Sequence, residues 1–316
     1  MSFATYSNMT HGPSSDVKLM DSVQVFLQVT VSVCFCLFLF FISLILHVYR
    51  TAPHIREHAR YILFAHMLIN DTLYLADGLF LLLATLNLLY LPVPVCFVIV
   101  SLASVTFRIT PYNLAAMALE RYTAICFPLR HVTLCTSRRS NYAIATMWFV
   151  CLMPNIIDFI MLYTSVDKKF FSLSIICKRE HIIVSVAQSL LNSSVLIINL
   201  ISAGLIITAT YIRVMCIAKN MSSRHGSAQK AGNTVLLHAV QFLLCLFSLT
   251  SSLFEAKFRN VFLALPTTNF LIFMCLPRFL SPLIYGLRDQ MLSKCIKKLL
   301  CVKLSRRFVI RKCPIV

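Results

Sequence analysis

Apolar residues along the chain fall into long runs, and the charges collect between them. Val23–Tyr49, Ile182–Ile212 and Ala231–Phe254 contain no Asp, Glu, Lys or Arg. Tyr61–Leu91 carries only Asp71 and Asp77, Val93–Leu119 only Arg108, Tyr142–Val166 only Asp158, and Val261–Leu287 only Arg278. Each run reaches the roughly 20 residues that a helix needs to cross a bilayer. Backbone in lipid must satisfy its own hydrogen bonds, and short alternating strands are absent from the pattern, so the runs predict seven transmembrane helices rather than a barrel.

Composition agrees. Of 316 residues, 59% are hydrophobic and 13% charged, against roughly 45–50% and about 25% in soluble domains. The formal net charge of +18 raises the question of a nucleic-acid partner, but its distribution answers it. With the N-terminus outside, the segments Arg50–Arg60, Arg121–Arg139, Arg213–Lys230 and the tail from Arg288 all face the cytoplasm. Together they hold 20 of the 29 lysines and arginines. Basic residues stay cytoplasmic, and anionic inner-leaflet lipid accounts for the excess without nucleic acid. The expected organisation is an outer tail (1–22), an all-α seven-helix domain (23–287) and a cytoplasmic segment (288–316). The first 22 residues show no basic region leading into an apolar stretch, so Val23–Tyr49 is expected to serve as the inserting segment.

The cysteines fit this orientation. Of 13, only Cys96 and Cys177 face outside, where disulfides persist. A bridge between them would tie the outer end of the third span to the second outer loop, with a chain-entropy ceiling of about 4.5 kcal/mol. Asn8-Met9-Thr10 is a glycosylation sequon in the outer tail. Beyond Tyr285, Leu287, Met291, Leu292, Cys295, Ile296, Leu299 and Leu300 recur at helical spacing opposite Arg288, Lys294, Lys297 and Lys298. That pattern predicts a short amphipathic helix on the inner leaflet, with Cys295 and Cys301 open to acylation.

Three longer motifs carry a resemblance. The inner end of the third span reads Met117-Ala-Leu-Glu120-Arg121-Tyr122-Thr-Ala-Ile-Cys126-Phe-Pro128-Leu-Arg130-His131. The sixth opens with Lys230-Ala231-Gly-Asn-Thr234-Val-Leu-Leu-His238, and the seventh closes with Leu280-Ser281-Pro282-Leu-Ile284-Tyr285-Gly-Leu287-Arg288-Asp289. In order and on these helix ends, they resemble the odorant-receptor forms of the rhodopsin-like G-protein-coupled receptor motifs. Cys96 lies 25 residues before Arg121, the family's spacing, and Trp148 and Tyr211 fall at its fourth- and fifth-helix landmarks. Arg60-Tyr-Ile-Leu-Phe, Pro111 and Pro277-Arg-Phe-Leu-Ser-Pro look most like the fish-type branch. The chain departs from the family in Ser281, where asparagine is usual, and in Phe242-Leu-Leu-Cys245-Leu246-Phe247-Ser248, which lacks the tryptophan and proline of other rhodopsin-like receptors.

The resemblance implies a receptor that binds small-molecule odorants between the third, fifth, sixth and seventh helices. It implies signalling from the plasma membrane through a heterotrimeric G protein of the stimulatory, olfactory type, with no cofactor. Its switch would comprise Glu120, Arg121, Tyr122, Tyr211, His238 and Tyr285, with Glu120 holding Arg121 in the inactive state. Family ligand positions fall on Ser104, Phe107, Val195, Asn199, Thr250 and Leu253. Asp71, with Thr110 nearby, resembles the second-helix aspartate that holds sodium in many such receptors.

Arg108 lies 13 residues, about 20 Å of helix rise, outward of Arg121. An intramembrane arginine faces a cavity or a partner. Two readings stand: it binds an anionic ligand group, or it forms a buried pair with Asp158 or Asp77. The chain lacks the G-x-S-x-G, H-E-x-x-H, G-x-G-x-x-G and P-loop patterns, which argues against an enzyme. Val261–Leu287 contains no lysine for a retinal Schiff base. A rhodopsin-like receptor for an endogenous ligand outside the olfactory system remains the alternative.

Overall fold

A computed structural model describes residues 15–51, 57–220 and 270–280, together with Leu236, Val240, Phe242, Leu243, Leu246, Phe247 and Thr267. Five helices in it are long and apolar enough to cross a membrane: α1 (Ser15–Thr51), α2 (Ala59–Leu86), α3 (Val93–Cys126), α5 (Ser137–Ser165) and α7 (Val186–Asn220). Shorter helices are α4 (Pro128–Leu134) and α6 (Arg179–Ile182). The last described segment, α8 (Phe270–Leu280), is apolar and starts with a π-helical turn over Phe270–Cys275. The sixth predicted span and the predicted amphipathic helix lie outside the described residues, apart from the six sixth-span positions named above.

Burial explains the arrangement. Along α1, Val31, Phe38, Ile42, Ile45 and Val48 are buried, a stripe at helical spacing. Phe26, Phe40 and Phe41 on other faces are exposed, as lipid contact requires of residues that water would drive inward. The stripe joins Leu68 and Leu75 of α2, Leu114 and Ala118 of α3, and Ala203 and Ile207 of α7 in one core. The third span is the hub: α3 packs against α2, α5 and α7.

The sequence pattern overruns in two places. The second run extends to Leu91, but α2 stops at Leu86. Leu88 adopts a left-handed conformation (φ 50°) and Leu89 N–H donates to Ala84 O (2.8 Å), closing the helix as a C-terminal cap does. Tyr90–Pro92 then forms strand β1, paired antiparallel with β2 (Ser174–Ile176) with Leu91 opposite Ile175. The pattern predicted no strands, because two three-residue strands are too short to alternate visibly. The fifth run begins at Ile182, yet its helix begins at Val186. Gln188 Oε1 accepts from Val184 N–H (3.0 Å) and Ser185 N–H (3.3 Å), and Ser185 Oγ accepts from Gln188 N–H, a reciprocal cap. Beside the ribbon, the Cys96–Cys177 disulfide forms as expected, with Cα atoms 5.4 Å apart and both cysteines buried.

Gly78 marks the closest approach of α2 and α8. A Cβ there would lie 2.9 Å from Phe270 Cε2. Gly78→Val is therefore expected to cost about 1–3 kcal/mol through overpacking, measured as a lower melting temperature of the purified receptor. Phe270→Ala in the same chain should restore part of it.

Candidate functional site

Arg108 is buried in α3 at 3% exposure, and its guanidinium is met by amides rather than acids. Nη1 donates to Asn155 Oδ1 (3.1 Å) and Cys151 O (3.4 Å) on α5, and Nη2 to Asn192 Oδ1 (3.0 Å) on α7. Asn192 Nδ2 donates in turn to Asp158 Oδ1 (3.2 Å), which also accepts from Gln188 Nε2 (3.1 Å). Of the two readings, the pairing with Asp158 is met only indirectly: the charges are joined through Asn192, a dipole whose oxygen faces the cation and whose N–H faces the anion. Asp77, the other candidate partner, makes no ion pair with Arg108 among the described residues. Asn155 Nδ2 anchors the far end on Ser101 O (3.0 Å), and Asn199 Nδ2 donates to the Arg108 carbonyl (3.0 Å).

These amides show where spacing carried more information than single charges. Gln188, Asn192 and Asn199 lie four and seven residues apart and are all buried, a polar stripe on one face of α7. Asn155 and Asp158 are similarly three apart on α5. Of the family ligand positions, Asn199 gives its Nδ2 to α3 backbone, while its buried Oδ1 has no hydrogen-bond partner among the described residues. Ser104 Oγ donates to its own helix at Val100 O (2.9 Å), the Phe107 ring lies 5.8 Å from that of Tyr74, and Val195 is half-buried on α7. Thr250 and Leu253 lie outside the described residues. Ser104, Asn155, Asp158, Arg179 and Ile183 line a cavity of about 10 Å³, room for about one water molecule.

At the inner end of α3, Glu120 divides its two carboxylate oxygens. Oε2 lies 3.4 Å from Arg121 Nε, and Oε1 accepts from His131 Nε2 at 3.1 Å. The first contact is the expected lock. The second is new: α4, opened by Pro128 at its first turn, carries His131 back beneath α3. Tyr122 meets Phe127 edge-on at 5.8 Å, and Tyr211 is half-buried on α7. His238, Tyr285, Asn8, Cys295 and Cys301 lie outside the described residues.

A third cluster binds α2, α3 and α5. Trp148 Nε1–H donates to His66 Nε2 (2.9 Å), which leaves the proton on Nδ1, where it donates to Asn113 Oδ1 (3.3 Å). Asn113 Nδ2 completes the chain at Leu63 O (3.2 Å). Trp148, expected as a landmark, is thus a hydrogen-bond donor across the bundle.

At the expected sodium position, Asp71 and Thr110, the structure places a protein cation. Thr110 Oγ1 accepts from Asn70 Nδ2 (3.1 Å) and donates to Thr106 O (3.3 Å), while the cation beside Asp71 is Arg278. Among the described residues no group of three or more His, Cys, Asp or Glu forms a metal cluster.

A helical bundle with an outer disulfide on its third span and an acid–arginine lock at that span's inner end is the architecture of a seven-helix signalling receptor. Residues 43–285 match the family described as 7 transmembrane receptor (rhodopsin family), and the chain belongs to that family. It is therefore a multi-pass membrane protein and a receptor rather than an enzyme, and a G-protein partner follows from the family. It is 28% identical over 247 residues to Odorant receptor 131-2 of Danio rerio, covering 75% of each chain. It is 29% identical to human Olfactory receptor 6K3 (60% of this chain, 58% of that one). It is 25% identical to Melanocortin receptor 5 of Rattus norvegicus, over 62% and 57% respectively.

Two outcomes test the site. Asn192→Leu strands both Arg108 and Asp158 in the interior, where removing one partner of a buried charge network costs about 3–5 kcal/mol. Surface expression should collapse, whereas Ser193→Leu on the exposed side of α7 should leave it intact. His131→Ala removes one of the two groups holding Glu120 and should raise ligand-free signalling several-fold, read as basal second messenger at matched surface expression.

Proposed function

We propose that the protein is an odorant receptor. It binds small molecules in the outer half of the bundle, between the third, fifth, sixth and seventh spans, and activates a G protein of the stimulatory, olfactory type that raises cAMP in sensory-neuron cilia. The observation that carries this reading is the likeness to a zebrafish odorant receptor over three quarters of both chains, together with the Glu120–Arg121 lock at 3.4 Å. The mechanism is a two-state bundle: ligand favours the conformation in which Arg121 leaves Glu120 and meets the G protein. To move the population from 1:99 to 99:1, ligand must prefer the active state by about 5.5 kcal/mol. Residues 288–316 lie along the inner leaflet in this reading, and Asn8 bears the outer glycan.

Arg108 acts here as a brace. With three oxygens at its head and 3% exposure, the side chain has three of its five N–H donors engaged inside the protein, so it positions the third, fourth and fifth spans rather than gripping a ligand. The likeness to a melanocortin receptor supports a second reading, a receptor for an endogenous ligand outside olfactory tissue.

The test is cAMP in cells expressing the receptor, challenged with neutral volatiles, amines, amino acids and bile acids. A response that disappears in Arg121→Ala at equal surface expression is expected. Arg108→Ala should weaken responses to charged and neutral ligands alike, through expression. Selective loss of anion responses would return Arg108 to the ligand site. Silence to every odorant class with confirmed surface expression would favour the endogenous-ligand receptor.

A further inference from the structure

We propose that Arg278 is a built-in cation for Asp71, occupying the place that a sodium ion would need and leaving the receptor core indifferent to sodium. Asp71 is 1% exposed and Arg278 2%. Arg278 Nε lies 3.8 Å from Asp71 Oδ1. Its guanidinium carbon sits 3.9 Å above the Tyr74 ring centroid, three residues outward of Asp71 and so on the same helix face. Nη1 donates to Met274 O (3.1 Å). The ring holds the guanidinium by cation–π attraction and the carboxylate holds it by charge alone, since no hydrogen bond joins Asp71 and Arg278.

The placement is set by packing rather than by the ion pair alone. The two helices run antiparallel, and Phe270 of α8 rests on Gly78 of α2. Seven residues inward on α2 and eight inward on α8, Asp71 and Arg278 arrive at the same depth. A buried carboxylate needs a compensating charge, and one is supplied covalently. A sodium ion against Asp71 would lie within a few ångströms of the guanidinium, in an interior where like charges repel strongly.

The test uses the purified full-length receptor in lipid nanodiscs, melted in about 150 mM NaCl or KCl at matched ionic strength. It requires neither ligand nor G protein, so its outcome is separate from that of the odorant reading. Wild type should melt at the same temperature in both salts. Arg278→Gln, which empties the cation's place but keeps an amide, should melt roughly 2–4 °C higher in NaCl than in KCl. Adding Asp71→Asn should abolish that difference. A sodium-specific rise in wild type that Asp71→Asn removes would overturn the proposal, as would an Arg278→Gln receptor that folds but ignores sodium. If Arg278→Gln does not fold, the wild-type comparison decides, with Arg278→Lys, which keeps the charge, expected to show no preference for sodium.

Discussion

A bilayer gives a buried charge no water to turn to, so every ionised group within the spans must be neutralised by protein. Five such groups lie within the predicted spans, Asp71, Asp77, Arg108, Asp158 and Arg278, and the interior is organised around them. Arg108 and Asp158 draw α3, α5 and α7 together; Asp71 and Arg278 join α2 to α8. Apolar packing cannot choose among helix orientations as sharply, because lipid tails satisfy a leucine almost as well as a neighbouring helix does. An arginine facing lipid has no comparable alternative. The charges therefore fix rotation and depth, and the apolar residues fill the space that remains.

The same constraint extends to the backbone. Pro111 lies within α3 and cannot donate to the preceding turn. Near it, Asn70 Nδ2 donates to Thr106 O (2.9 Å) and Asn199 Nδ2 to Arg108 O (3.0 Å). Side chains from α2 and α7 thus engage carbonyls of a helix that proline has loosened, which makes α3 dependent on both neighbours. On the outer side, water can satisfy a strand edge, and among the described residues the strands form only there. The β1–β2 ribbon lies beside the disulfide, and its Leu91 and Ile175 pack on the outer apolar cluster around Cys96, Phe97 and Leu162.

The bundle was legible in the sequence because membrane spans are read from length and charge depletion, and both signals are strong. The Glu120–Arg121 contact was legible too, since the two residues are contiguous and pair through local geometry. What pattern reading missed were contacts between distant segments made by neutral residues. Asn155, Asn192 and Gln188 carry no charge and leave hydropathy nearly unchanged, yet they decide how Arg108 is satisfied. Arg278 was visible as a charge within a span, but its partner lies some two hundred residues earlier, and only the antiparallel packing of α2 on α8 sets their common depth. His131 sits in a motif whose spacing gives no hint that α4 folds back to Glu120.

The two kinds of polar cluster differ in how readily they can rearrange. In the outer half, Arg108 is held by several directional hydrogen bonds to amides that are themselves fixed at their other ends. Shifting it breaks many bonds at once and leaves dipoles unpaired in a dry interior, where each costs about 1–3 kcal/mol. At the inner end of the third span, Glu120 holds Arg121 at 3.4 Å, a contact governed more by charge than by direction. Such a partner can be exchanged for another charged group without restoring a specific geometry, and the rim of the bundle lies next to water. The outer frame is thus braced by directional bonds, and the inner end of the third span is where charges can change partners.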